Sequence, residues 1–461
     1  MKIEQIYTGC LAQGAYYIES DGEVAIIDPL REVDPYIERA KKDNAKIKYV
    51  FETHFHADFV SGHLTLAAKT GATIVFGPNA NPGYEALIAE DEQQFKLGKI
   101  KIIALHTPGH TLESTTYLLR DEEGRDQAIF TGDTLFLGDV GRPDLAQKDS
   151  GYSERDLAGM LYDSLRNKIM PLSDDIIVYP AHGAGSACGK NMMKETVDTL
   201  GNQKEMNYAL REAMTKEEFI EELNDGLLPP PSYFPQNVKM NREGYDDVQN
   251  VISRGVTPLS TEEFEEVANK SGAVVLDVRK PADFIKSHIP RSIFIGLDGG
   301  FAPWVGALIK DVNQPILLIA PQGREEEAVI RLSRVGFDNT LGFLDGGFPA
   351  WKNSGKEIDS LKSISAVELK AKIEKGEQNI FDVRKESEYQ NAHIPEVHLT
   401  PLDFINEHLD EFPENENFYV HCAGGYRSVI AASILKSRGI HNVIDVAGGF
   451  KAIREAEIPI T

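Results

Sequence analysis

An internal repeat narrows the fold of this chain more than any other feature. Ser260–Pro290 aligns without a gap on Ser365–Pro395 at an offset of 105, with ten identities in thirty-one positions. Among them, Asp277-Val278-Arg279-Lys280 falls on Asp382-Val383-Arg384-Lys385, and His288-Ile289-Pro290 on His393-Ile394-Pro395. After a three-residue length difference the register resumes at an offset of 102 and carries Gly346-Gly347-Phe348 onto Gly448-Gly449-Phe450. Self-similarity of this kind means two copies of one structural unit, placed at 257–356 and 360–461. Each copy alternates helical and strand-forming runs, the grammar of a doubly wound parallel α/β sheet. The remaining N-terminal part, 1–245, closes on the proline-rich stretch LLPPPSYFPQN (227–237), which can sustain neither a helix nor a central strand.

The total of 461 residues is too long for one core and suits several domains. Lys and Arg number 48 against 72 Asp and Glu, a formal charge of −24. That charge disfavours nucleic acid and anionic membranes as partners. No apolar run has the length of a spanning helix, and MKIEQIYTGC lacks the pattern of a signal peptide, so a cytoplasmic protein is expected. Three widely spaced cysteines, Cys10, Cys188 and Cys422, cannot build a disulfide framework and point to a reducing compartment.

Six of the twelve histidines lie within the first 182 residues. There, β-rich runs such as VAIIDP (24–29), KYVFET (48–53) and QAIFTGD (127–133) alternate with helical stretches, which predicts a layered mixed α/β domain. His54, His56 and Asp58 directly follow one such run, and three ligand-type side chains at a strand end can converge on one cation. His110 in Thr107-Pro108-Gly109-His110-Thr111, Asp133 in Thr131-Gly132-Asp133 and His182 in Tyr179-Pro180-Ala181-His182 likewise end apolar runs. These elements, in this order, resemble the metallo-β-lactamase superfamily over roughly 1–245, which implies an αββα sandwich. Binuclear hydrolases of the superfamily need a histidine at the end of the first motif, where this chain has Phe59. Phenylalanine cannot ligate, so a mononuclear site is expected.

Within the superfamily the chain most resembles the persulfide dioxygenases. That resemblance implies one Fe(II) per chain held by His54, His110 and Asp133, with His56, Asp58 and His182 as outer groups that orient ligands and place water or O2. Arg142, in the segment after Asp133, is a candidate to pair with a thiol substrate's carboxylate or, equally, a structural ion pair. Cys188 lies six residues after His182 and is a candidate to approach the pocket and handle sulfur. His63, His106 and Cys10 read as structural.

In the last repeat the apolar segment NFYVHC ends in Cys422, followed by Ala423-Gly424-Gly425-Tyr426-Arg427 and a helical run. A cysteine between a strand and a helix N-terminus meets backbone N–H groups and the positive end of the helix dipole, which favour the thiolate and hold anions. Arg427 adds a cation. This loop resembles that of the rhodanese sulfurtransferases, which close Cys-to-Arg over four residues where the related phosphatases use five. In the first repeat Ala320 stands at the Cys422 position and Glu325 at that of Arg427, so the middle domain is expected to be inert in sulfur transfer.

The joint resemblance is to persulfide dioxygenase–sulfurtransferase fusions. It implies oxidation of a low-molecular-weight thiol persulfide by O2 to sulfite, with Cys422 making or using thiosulfate in sulfide detoxification. Association into a homo-oligomer is common in that family. The competing expectation is a zinc thioesterase of the glyoxalase II type fused to a sulfurtransferase.

Overall fold

The computed structural model describes residues 1–146, 151–377 and 379–461. It divides into two compact units, Met1–Val248 with Ser333–Gly336, and Gln249–Leu332 with Phe337–Thr461.

The first unit holds two six-stranded sheets. One runs β1 (Lys2–Thr8), β2 (Gln13–Ser20), β3 (Glu23–Ile27), β4 (Lys46–Phe51), β5 (Thr73–Phe76) and β6 (Leu87–Ile88) in sequence order. The other runs β7 (Gln94–Leu97), β8 (Ile100–His106), β9 (Thr115–Arg120), β10 (Asp126–Gly132), β11 (Ile177–Pro180) and β12 (Asp198–Thr199). The inner strands β2, β3, β9 and β10 are buried on nearly every residue because both faces of each sheet are covered. Tyr16, Ile18, Ala25 and Ile27 meet Ile102, Ala104, Tyr117 and Phe130 between the sheets. The alternate residues Ala15, Tyr17, Val24 and Ile26 turn outward onto Tyr36 and Ala40 of the helix Asp34–Lys42. On the far side, Ile103, Leu118 and Ile129 share a core with Ala158 and Leu161 of the helix Glu154–Ser164, and Phe219 of Lys216–Asn224 joins them. The result is the expected αββα sandwich.

The second unit repeats one design twice. β13 (Pro258–Leu259), β14 (Val274–Asp277), β15 (Ile293–Phe294), β16 (Ile316–Ile319) and β17 (Thr340–Leu344) form a sheet of order β13-β17-β16-β14-β15. β18 (Lys362–Ile364), β19 (Ile380–Asp382), β20 (His398–Leu399), β21 (Phe418–His421) and β22 (Val443–Val446) form β18-β22-β21-β19-β20, the same order one repeat later. Every pair is parallel. The repeated sequence signatures have one packing role: Arg279 pairs with Asp277 at 2.6 Å and lies over the Phe348 ring, and Arg384 pairs with Asp382 at 2.6 Å over Phe450. Two distant motifs are thus one contact in each repeat. Among the described residues no helix is long and apolar enough to cross a membrane.

Candidate functional site

Four strand ends converge on one edge of the sandwich. His54 follows β4, His110 lies in the loop after β8, Asp133 follows β10, and His182 follows β11. All four are buried. One nitrogen each of His54 and His110 and one oxygen of Asp133 lie within 4.8 Å of one another. His54 Nε2 is 3.8 Å and His110 Nε2 3.5 Å from Asp133 Oδ2.

The surroundings fix how each group presents itself. His110 Nδ1 is 2.7 Å from the Arg142 carbonyl, which can only accept, so the proton sits on Nδ1. Thr53 Oγ1 donates to Asp28 Oδ2 at 2.9 Å and therefore accepts from His54 Nδ1 at 3.0 Å. Both rings turn a bare Nε2 lone pair toward Asp133 Oδ2, itself a buried oxygen without a hydrogen-bond partner. Three lone pairs facing one another out of water fit a cation between them. Burial lowers the His54 pKa well below its ordinary value, and His56 beside it lowers it further. Burial raises Asp133, but His182, His54 and His110 outweigh it and hold the carboxyl well below the usual carboxylate range. Neutral imidazole and ionised carboxylate are the ligand forms of these groups.

His56, Asp58 and His182 form a second trio of ligand-type atoms within 4.8 Å. His182 lies between two carboxylates, with Nδ1 2.7 Å from Asp133 Oδ1 and Nε2 2.8 Å from Asp58 Oδ2. Burial opposes its charge, yet Asp133 and Asp58 hold its pKa well above the ordinary histidine value. Phe59 is fully buried, its ring centroid 4.3 Å from that of His56 and 6.2 Å from that of His182. An apolar ring thus stands among the polar ones.

Cys188 is buried, with its sulfur in a group with Asp133 and His182 that spans no more than 4.8 Å. Burial, then Asp58 and Asp133, push this thiol's pKa up. The loop places it beside the cluster. Arg142 has a different position from a free substrate anchor. Its guanidinium donates to both oxygens of Asp144 at 2.6 and 2.7 Å and to the carbonyls of Leu228 and Ala187, while its backbone N–H donates to Cys188 O. This favours the structural alternative: one residue ties the His110 ring to the Cys188 loop.

Two participants escaped the sequence reading. Asp28 ends the run VAIID as Asp133 ends QAIFTGD, a signal of the same kind. It accepts from Thr53 N–H at 2.8 Å and lies 3.1 Å from His56 Nε2, at a left-handed φ of 50° that a non-glycine residue adopts at a cost. Glu52 accepts from Ser61 Oγ at 2.6 Å and lies 3.9 Å from His56 Nε2; burial and then Asp28 raise its pKa well above the ordinary carboxylate value.

In the second unit Cys422 follows β21 and is buried, ahead of the helix Arg427–Ser437. Gly425 N–H donates to its sulfur at 3.1 Å, and the thiol lies 3.6 Å from Ser428 Oγ, which donates to Asp445 at 2.7 Å. Arg427 forms a bidentate pair with Glu388 at 2.6 and 2.7 Å. Beside the loop opens a cavity of about 380 Å³ lined by Ala423, Phe450, Lys451, Arg454 and Glu455.

A metal-binding αββα domain followed by paired five-stranded parallel sheets with a cysteine loop defines the class. The Metallo-beta-lactamase superfamily pattern matches residues 8–182 and the Rhodanese-like domain pattern matches 260–354 and 365–456. A metallo-beta-lactamase structure from Staphylococcus aureus subsp. aureus COL is 31% identical with a TM-score of 0.65, over 75% of this chain and 98% of that one. The chain belongs to the metallo-β-lactamase superfamily and carries two rhodanese-like domains. A cytoplasmic hydroxyacylglutathione hydrolase of Arabidopsis thaliana is 37% identical over 149 residues, 31% of this chain and 56% of that relative, so little more than half of its length is matched. A mitochondrial persulfide dioxygenase of Homo sapiens is 27% identical over 220 residues, 48% of this chain and 78% of that one.

Proposed function

We propose that the protein oxidises low-molecular-weight thiol persulfides to sulfite at one Fe(II) and couples this to sulfur transfer at Cys422, as RSSH + O2 + H2O → RSH + SO3²⁻ + 2H⁺. The working parts are 1–245 for oxidation, 257–356 as an inactive repeat and 360–461 for sulfur transfer. The observation that carries the reading is the two-histidine, one-carboxylate cluster with Phe59 at the place of a further ligand. Such a set suits a non-heme iron oxygenase, and Fe(II), when bound, supplies the redox chemistry that O2 requires. Similarity to the human persulfide dioxygenase supports it.

His54, His110 and Asp133 would hold the metal, with Thr53 and the Arg142 carbonyl fixing the two imidazoles. His182 holds a proton between Asp58 and Asp133, where a persulfide anion would meet it. Phe59 and Phe136, fully buried beside His182, exclude water from that side. At Cys422 the Gly425 N–H stabilises sulfur anion, and the step is Cys–S–SH + SO3²⁻ → Cys–SH + S2O3²⁻, or its reverse.

A zinc thioesterase is the second reading, favoured by the 37% identity to the Arabidopsis hydrolase. Metal analysis of anaerobically purified protein, together with oxygen uptake on adding glutathione persulfide, separates them. About one iron per chain with rapid uptake is expected; about two zinc per chain without uptake would replace this reading by the hydrolase. Full uptake by His110→Ala would refute the ligand assignment.

A further inference from the structure

The middle repeat lacks a nucleophile, yet it touches the loop that has one. Tyr426, the residue before Arg427, donates its hydroxyl proton to the Gly296 carbonyl at 2.6 Å. Its ring stands edge-on to Phe294 at 5.9 Å between centroids. One helical face further on, Ser433 Oγ accepts the Phe294 N–H at 2.9 Å. Gly299 lies against the same ring: a Cβ there would fall 2.3 Å from a ring atom, and since its φ is outside the left-handed region, space alone requires glycine. The segment 294–300 is therefore a seat shaped for one side chain of the other repeat.

That seat is braced by what remains of the silent loop. Arg324 donates to Asp298 at 2.7 Å and to Glu327 at 2.7 and 3.0 Å, and Arg331 donates to the Leu297 carbonyl at 2.7 Å. At the offset of 102, Arg324 is the counterpart of Tyr426. The same loop position thus supports the seat in one repeat and fills it in the other.

We propose that the middle repeat is a positioning element for the Cys422 loop, acting through Tyr426. The proposal rests on reading Cys422 as the sulfur-carrying residue. Gly424 and Gly425 give the loop backbone freedom that costs entropy to order, and Gly425, with φ of 92°, carries the N–H aimed at the sulfur. Its neighbour Tyr426 is the first residue of the loop after them with a side chain, and its anchorage fixes where that N–H points. Tyr426 is a positioning residue, since its hydroxyl is bound to Gly296 rather than to the sulfur.

The test uses the full chain with Tyr426→Phe, which removes one hydroxyl, and Gly299→Ala, which adds one methyl in the middle repeat. Sulfur transfer from thiosulfate to cyanide gives kcat and KM, and mass spectrometry of the Cys422 peptide gives the rate of its alkylation by iodoacetamide. Each variant should lower kcat about five- to tenfold, the scale of one lost buried hydrogen bond, with KM nearly unchanged and the alkylation rate altered. Oxygen uptake should stay at its wild-type value, and the melting temperature should fall by about a few degrees at most. Wild-type kcat and alkylation in both variants would overturn the proposal; should Gly299→Ala unfold, Tyr426→Phe alone decides. If the wild type transfers no sulfur, the reading of Cys422 falls, and the alkylation rates still decide this one: altered supports it, unchanged overturns it.

Discussion

The two rhodanese-like repeats share a strand order and an Asp–Arg–Phe contact, and even the backbone of the loop: Gly323 has φ of 81° where Gly425 has 92°. They differ in what the loop carries. Ala320 replaces Cys422, Glu325 replaces Arg427, and Pro321 stands where Ala423 offers a backbone N–H. Scaffold and chemistry are therefore separable: the repeat without the cysteine keeps the strand order and the Asp–Arg–Phe contact.

The sharpest break of this comparison is Cys422→Ser. It should lower sulfur transfer by about a thousandfold or more, because no second nucleophile occupies the twin loop, while oxygen uptake with glutathione persulfide continues. Residual transfer above that level would mean the middle repeat is not silent. Next comes the graft: in a Cys422→Ser background, Ala320→Cys alone should restore nothing measurable, since the thiol meets Glu325 and a proline without N–H. Adding Pro321→Ala and Glu325→Arg should bring transfer above background. Recovery from the single change would show that the cysteine alone makes the difference.

The repeat, the sheet class and the convergence of ligand-type residues were legible in the sequence because identity at a fixed offset and apolar runs ending in His or Asp are local signals. Phe59 could be noticed as an absence for the same reason. The remainder depends on contacts between distant residues. Arg427 and Glu388 are 39 residues apart, Arg142 and Leu228 86, and neither pairing leaves a periodic trace. Hence Arg427 read as a cation beside the loop and Arg142 as a substrate anchor or, equally, a structural ion pair, without the sequence naming Glu388 or Asp144 as the partner. Asp28 was visible as the end of VAIID, but its hold on Thr53 and His56 appears only once β3 and β4 lie side by side.

A smaller effect concerns the scaffold the repeats share. Arg279→Ala and Arg384→Ala should each cost about 3 kcal/mol, because removal of one partner leaves Asp277 or Asp382 buried without compensation. Thermal or urea unfolding followed by circular dichroism measures both. Near-equal losses would establish the pair as structural in both repeats; a loss confined to Arg384→Ala would tie it to the Cys422 loop instead.

The smallest expected effect is the most specific to the Cys422 loop. Glu388 lies half-buried on the helix Glu386–Asn391 and pairs with both terminal nitrogens of Arg427, so the arginine charge near Cys422 is largely answered. The middle repeat has Glu325 in place of the arginine and offers no such pair. Glu388→Gln keeps the shape and a hydrogen-bond acceptor but removes the negative charge. In a partly solvated site that is a change of about 0.5–1 kcal/mol. The freed cation should draw a dianion such as thiosulfate, lowering its KM about two- to fivefold with little change in kcat, and added salt should shrink the difference. An unchanged KM would mean that Glu388 only holds the Arg427 side chain in place, and a fall in kcat would mean that the fixed geometry of the pair matters more to sulfur transfer than its charge.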